Sequence, residues 1–224
     1  MDGELHIKRA VCARIPTSAG SFQLCVYENS HDDKEHMALI MGDVEEREGV
    51  LVRIHSECFT GDVLGSRRCD CGEQLQRAME LLAEAQQGVV IYLRQEGRGI
   101  GLAEKLRAYN LQDDGLDTVD ANLALGHAVD SRDYRMAAAI LEDLGIQSVR
   151  LMTNNPEKIQ ELQKLGVRVI ERVALEATVY PDNAAYLLTK AQRMNHLLDP
   201  VALAEVLVGK FSLPLHSNGG NGSH

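Results

Sequence analysis

No stretch of about 18 apolar residues occurs in the chain, so nothing in it reads as a membrane-spanning helix. The first residues, Met-Asp-Gly-Glu-Leu-His-Ile-Lys, begin acidic and lack the apolar core of a secretory signal. An excess of basic charge is missing too: 23 Lys and Arg stand against 33 Asp and Glu, a formal net charge of −10. A protein that grips a nucleic-acid backbone is normally basic, which argues against that partner class. No internal repeat is visible. The five cysteines are odd in number and partly clustered, which fits reduced thiols and metal ligation better than a disulfide framework. These absences predict a cytoplasmic protein whose partners include neither membrane nor nucleic acid.

What is present is enough to build a core. A length of 224 residues, 45% of them hydrophobic, fits one large domain or two small ones. The charge is uneven. Residues 1–50 carry five Lys/Arg against ten Asp/Glu, whereas residues 51–110 carry eight of each. Bound metal would tip that second region positive, so a phosphorylated small molecule can meet a locally cationic pocket inside an acidic protein.

Strands and helices alternate along the chain. Residues 5–14 and 20–27 read as a hairpin joined by a Pro16-to-Gly20 turn, followed by strands over 36–42 and 50–55. A helix over 73–87 carries Leu75, Ala78, Met79 and Leu82 at helical spacing and is expected to stop at Gly88. Then come a buried-type strand over 89–93, helices over 102–112 and 134–144, and a strand over 148–152. Asn155 and Pro156 mark the start of a helix that Gly166 ends, and 167–170 completes a strand–helix–strand unit. The pattern predicts a mixed α/β fold with an N-terminal antiparallel part and a C-terminal βαβ part. The last dozen residues are expected to be disordered.

Cys58, Cys69 and Cys71 lie within fourteen residues, a spacing suited to zinc. Three thiolates leave one tetrahedral position open, and an open position distinguishes a catalytic zinc carrying an activated water. A structural site closed by His55, Cys12 or Cys25 is the plainer alternative. Arg94-Gln95-Glu96-Gly97-Arg98-Gly99-Ile100-Gly101 follows a strand and opens a helix, so backbone N–H groups and two arginines suit an anion. It is neither the Gly-x-Gly-x-x-Gly dinucleotide fingerprint nor a Walker A loop. Asp130-Ser131-Arg132-Asp133 reads by itself as helix capping. Thr153-Asn154-Asn155-Pro156-Glu157-Lys158 also reads first as a helix start, though it stands at a strand's C-terminal end, where open sheets bind ligands.

Taken together these stretches resemble GTP cyclohydrolase II. The resemblance rests on Arg53-Ile54-His55-Ser56-Glu57-Cys58-x-Thr60-Gly61-Asp62, Arg68-Cys69-Asp70-Cys71-Gly72, Arg94 to Leu102, Asp117-Thr118-Val119-x-Ala121-Asn122 and Thr153-Asn154-Asn155-Pro156, in order over about residues 5–198. It implies a single domain over residues 1–198, with 199–224 extending past it, and the opening step of riboflavin biosynthesis. There GTP is converted to a 2,5-diamino-6-ribosylamino-pyrimidinone 5′-phosphate, with formate and pyrophosphate released and with Zn2+ and Mg2+ required.

By the same resemblance Cys58, Cys69 and Cys71 hold a catalytic zinc. Arg53, Ile54, His55, Ser56, Glu57, Gln74, Glu96, Gly97, Arg98, Thr118, Thr153 and Lys158 bind GTP. Asp130 is the proton acceptor, Arg132 the nucleophile and Tyr109 the active-site tyrosine, which replaces the capping reading of 130–133. Magnesium would accompany the phosphates, and a homodimer is expected. A nucleophilic arginine conflicts with a pKa above 12, so Arg132 is expected to clamp the α-phosphate instead. Three thiolates also call for N–H or Arg donors around them to offset their charge. The chain departs from the family at Glu171-Arg172-Val173-Ala174-Leu175 and Met194-Asn195-His196-Leu197, changes expected to touch C-terminal packing or subunit contacts. It also lacks the butanone phosphate synthase domain of some relatives, so a single activity is expected. Two other readings are a sister enzyme that keeps the formyl group or serves another pathway, and a nucleotide-sensing zinc module.

Overall fold

The strand Val50–Ser56 (β4) divides its side chains between two tasks, and the fold is arranged around it. Side chains alternate across a strand. Val50, Val52 and Ile54 therefore enter one apolar cluster, while Leu51, Arg53 and His55 face the other way. A computed structural model describes this arrangement for residues 4–128, 130–176, 178–198, 201 and 203.

β4 is central in a seven-stranded sheet of order β1-β2-β3-β5-β4-β6-β7. Ile7–Pro16 (β1), Ser21–Asn29 (β2), His36–Met41 (β3) and Gly88–Leu93 (β5) pair antiparallel in that order. β5, β4, Val149–Met152 (β6) and Val169–Val173 (β7) run parallel. Parallel strands need crossovers, which helices supply. Phe59–Asp62 (α1) and Cys71–Ala85 (α2) link β4 to β5. Leu102–Asp113 (α3), Thr118–Ala124 (α4) and Arg135–Asp143 (α5) link β5 to β6, and Pro156–Lys164 (α6) links β6 to β7. Ala184–Arg193 (α7) follows the sheet.

Each face of the sheet has its own apolar cover. Met136, Ala137, Ile140 and Leu141 of α5 and Leu162 of α6 pack on the even residues of β4, the odd residues of β5 and Tyr27. Ala78 and Leu82 of α2 pack on Leu51, Val90, Phe22 and Met152, with Leu75 and Met79 against them. Beyond this second cluster the face opens at the C-terminal ends of the parallel strands, where ligands bind in open α/β sheets.

The expected mixed fold, antiparallel first and parallel later, is the one observed, with element ends shifted by a few residues. α2 starts at Cys71, because its first turn belongs to the cysteine loop, and its left-handed cap is Gln86 (φ 54°), with Gly88 opening β5. α4 and α7 had no sequence-based expectation. Capping at 130–131 is corrected: α5 is preceded by Tyr134, and the Asp130 carboxylate bonds Arg132. The expectation of five reduced thiols is corrected too. Cys12 and Cys25 face each other across β1 and β2, 4.1 Å apart at Cα, and form a disulfide. Thirteen residues of separation say nothing about cross-strand register, which only the hairpin fixes. The expected extension 199–224 lies outside the described residues apart from Val201 and Leu203. Among those described, no helix is long and apolar enough to cross a membrane.

Candidate active site

The loop that leaves β4 brings three thiols together. Cys58 precedes α1, Cys71 is the first residue of α2, and the Sγ atoms of Cys58, Cys69 and Cys71 all lie within 4.8 Å of one another. Two glycines allow this closeness. A Cβ on Gly61 would meet the Sγ atoms of Cys58 and Cys69 at 3.1 Å, and one on Gly72 would stand 2.3 Å from the Gly61 carbonyl oxygen. Tetrahedral zinc with bonds of about 2.3 Å spaces its thiolates roughly 3.8 Å apart. The Cys58–Cys69 separation of 3.6 Å matches that spacing, so the donor set fits zinc.

None of the three proposed closing residues joins the cluster. Cys12 and Cys25 are bonded to each other, and the His55 Nε2–H donates to Asp62 at 3.0 Å. Asp62 organises the approach to the cluster, accepting also from the Cys58 amide at 3.0 Å and the Tyr92 hydroxyl at 2.8 Å. Burial holds the His55 imidazole below its usual pKa despite Asp62. His55 stacks on Tyr92, with ring centroids 5.4 Å apart.

The donor expected beside the thiolates is a lysine. Lys105 of α3 gives one hydrogen bond to Cys58 Sγ at 3.0 Å and another to Glu96 Oε1 at 2.8 Å. The other Glu96 oxygen accepts the Phe59 amide at 2.6 Å, which ties the glycine-rich turn to the cysteine loop. Hydrogen bonds from the neighbouring thiols, with Lys105 added, hold Cys58 as a thiolate. Hydrogen bonding to Cys58 in turn pushes Cys69 up to about 11 and, with Cys69 and burial added, Cys71 well above its usual value. Tyr109, one turn after Lys105, lies under the Arg68 guanidinium at 4.6 Å, and burial raises its phenol so that it keeps its proton.

In the glycine-rich turn Glu96–Gly99, Gly97 and Arg98 both adopt the left-handed conformation (φ 63° and 61°). Left-handed backbone in a residue with a side chain is strained, and such strain collects at functional sites.

One pocket gathers most of the sequence-predicted residues. Arg53, His55, Ser56, Glu57, Gln74, Glu96, Gly97, Arg98, Tyr109, Thr118, Arg132, Thr153 and Lys158 line it together with the three cysteines. Ile54 does not line it: its side chain is in the core, and its carbonyl oxygen accepts from Lys158 Nζ at 2.9 Å. Asp130 also stands behind the wall, paired through both oxygens with Arg132. Burial opposes both charges of that pair. Hydrogen bonds from Arg132 leave the Asp130 carboxyl below its usual range, and Tyr134 together with Asp130 holds the Arg132 guanidinium above its own.

Arg53 and Gln74 are engaged with each other. Arg53 donates to the Met152 carbonyl at 3.0 Å and to Gln74 Oε1 at 2.6 Å, and Gln74 donates to Asp70 at 2.6 Å. Burial, reinforced by Arg53 and Arg132, drives the Lys158 ammonium well below its usual pKa. So many cations in one buried space fit an anionic ligand. Sequence reasoning missed Lys105, and it missed Tyr186, Lys190, Met194 and His196, which also line the pocket. Lys105 carries a readable signal, four residues before Tyr109 and so on the same helix face. The others come from α7 and the residues after it; Met194 and His196 belong to the stretch expected to touch C-terminal packing or subunit contacts, and they reach the pocket instead.

A family model described as GTP cyclohydrolase II matches residues 8–174. The riboflavin biosynthesis protein RibBA of Chlamydia trachomatis is 55% identical over 87% of this chain and 46% of its own length. The RibBA proteins of Salinispora tropica and Bacillus cereus are 55% and 53% identical over 87% and 88% of this chain, each across 49% of its own length. The chain thus spans about half the length of the curated relatives it matches. A solved two-domain 3,4-dihydroxy-2-butanone 4-phosphate synthase, RibBX from A. baumannii, aligns with 66% of this chain and 34% of its own at 22% identity and a TM-score of 0.39.

Proposed function

The chain belongs to the GTP cyclohydrolase II family, and from that premise we propose that it opens the imidazole ring of GTP. The products are 2,5-diamino-6-ribosylamino-pyrimidinone 5′-phosphate, formate and pyrophosphate, in a riboflavin-forming route. One observation carries this reading: a three-thiol cluster with no fourth protein ligand among the described residues shares its pocket with buried Arg53 and Lys158 and with half-buried Arg132.

Zinc held by Cys58, Cys69 and Cys71 would supply a Lewis acid that brings water to reactivity near neutral pH. Among the described residues no other group of three His, Cys, Asp or Glu suits a metal, so magnesium would arrive on the phosphate oxygens.

The chain's own residues bind, orient and donate. Arg53, Arg98, Arg132 and Lys158 attract the triphosphate, and the Thr118 and Thr153 hydroxyls offer directional contacts. Ile54 contributes its backbone, and His55, Ser56, Glu57, Gln74, Glu96 and Gly97 shape the pocket around the nucleoside. Arg132 keeps its proton beside Asp130, so it acts as a fixed cation on the α-phosphate, stabilising charge as pyrophosphate leaves, with Asp130 holding its orientation. A phospho-arginine trapped at position 132 would overturn that role. Tyr109 stays a phenol and therefore serves as a proton donor or water-orienting group at the opening ring. Homodimeric assembly in the cytoplasm is part of the same reading.

The test is to incubate zinc-loaded protein with GTP and magnesium and to measure product mass and free formate together. Diaminopyrimidine monophosphate with formate and pyrophosphate in equal amounts is expected. A product that keeps the formyl group would make this a sister enzyme, and binding without turnover would make it a sensor.

A further inference from the structure

The segment after the sheet is fastened to the active site at four places. The Tyr180 hydroxyl and Thr178 amide bond the two oxygens of Glu73, at 2.7 and 3.1 Å. Lys190 of α7 reaches Asp70, between two of the clustered cysteines, at 2.8 Å with both side chains buried. Arg193 pairs with Asp117 and Asp120 of α4. The Leu197 amide donates to the Asn154 carbonyl at 2.8 Å. This strap thereby spans the cysteine loop, α4 and the turn after β6, and it lays Tyr186, Lys190, Met194 and His196 along the pocket.

His196 is the member with an unmet need. Its Nε2 is buried and has no hydrogen-bond partner among the described residues. A buried polar atom left unpaired costs free energy unless a ligand or water satisfies it.

We propose that the strap 184–198 is the closing wall of the nucleotide pocket and that His196 is a substrate-contacting residue, its Nε2 accepting a hydrogen bond from the nucleoside part of the bound nucleotide. This rests on the GTP reading above. Burial and the cations Lys190, Arg132 and Lys158, opposed only by Asp70, push the imidazole down to about 3, so it is neutral and adds no charge to a phosphate site. The positive potential of that corner favours the tautomer that turns a lone pair, not an N–H, towards the cations. A lone pair needs a donor. Phosphate oxygens have none to give, whereas a sugar hydroxyl or a guanine N–H does.

The experiment measures calorimetric binding of a non-hydrolysable GTP analogue and of inorganic tripolyphosphate to the full zinc-loaded chain, wild type against His196→Ala and His196→Gln. Loss of one buried hydrogen bond weakens binding by about tenfold. His196→Ala is expected to weaken the analogue by that factor, to leave tripolyphosphate unchanged, and to recover in His196→Gln, which restores an acceptor. Where His196→Ala lowers the melting temperature, His196→Phe decides instead, filling the space without an acceptor. Equal weakening of both ligands would assign the contact to phosphate, and no weakening would make the wall passive; either result overturns the proposal. If inosine or 2′-deoxy analogues lose the His196 dependence, the donor is the 2-amino group or the 2′-hydroxyl respectively. Failure of wild type to bind the GTP analogue would defeat the GTP reading itself, an outcome separate from any His196 result.

Discussion

The antiparallel half of the sheet and the parallel half each gather cysteines, with different chemical results. In the antiparallel half, register alone sets Cys12 opposite Cys25, and the two thiols join. At the end of β4 the backbone bends through Cys58, turns at Gly61 and returns at Cys69 and Cys71, so three thiols converge on a point instead of on each other. The surroundings differ as well. Ion pairs around the first group are exposed, such as Lys8–Glu28, with side chains 76% and 66% accessible. Around the second, two that touch the cysteine loop are largely buried: Lys105–Glu96 at 11% and 9%, and Lys190–Asp70 at 10% and 0%. A strand pair supplies proximity, whereas a loop braced by buried charges supplies a coordination site. Exposed pairs contribute little, while a buried charge that loses its partner is strongly unfavourable.

Removing any one of Cys58, Cys69 or Cys71 by alanine should break the comparison most severely. Zinc bound per chain should fall towards zero, and ring opening should drop by about 10³-fold or more, the scale of a lost Lewis acid. Metal analysis beside product assay checks both.

Next in size, Arg132→Lys keeps a charge but loses the fork held by Asp130, so pyrophosphate release should slow by about 10²-fold with metal content intact. Tyr109→Phe should slow formate release by roughly 10- to 10²-fold while affecting pyrophosphate less; equal loss of both products would refute the donor role. Lys105→Met tests whether the brace serves the metal, with zinc affinity expected to weaken about 10- to 100-fold in chelator competition. Smallest of all, Cys12→Ser should leave turnover within about twofold and lower only the melting temperature. A Cys12→Ser variant that loses zinc would collapse the distinction between the two groups.

Much of the fold was legible because its signals are local. Apolar and β-branched runs mark β4, β5 and β6, and Asn155-Pro156 marks the start of α6, where the Asn155 side chain accepts the Glu157 amide at 2.9 Å. The cysteine cluster was legible for the same reason, since its three thiols fall within fourteen residues. Asp130 was misleading: a cap is a local partner of the backbone, whereas the Asp130 carboxylate pairs with the side chain of Arg132. Lys105 and Cys58 are 47 residues apart, and their contact depends on how α3 lies against the cysteine loop. The disulfide and the strap were invisible because both depend on register and docking between distant segments.

The sequence by itself determined the strand and helix periods, the three clustered thiols and the glycines that let them approach, because these depend on neighbours in the chain. Tertiary structure alone decided that Cys12 and Cys25 pair outside the site, that a lysine braces Cys58, and that Lys190 of α7 and His196 after it line the pocket. Those outcomes depend on distances between residues far apart in sequence, which are set only when the two faces of the sheet bury their apolar cover and fix every helix in place.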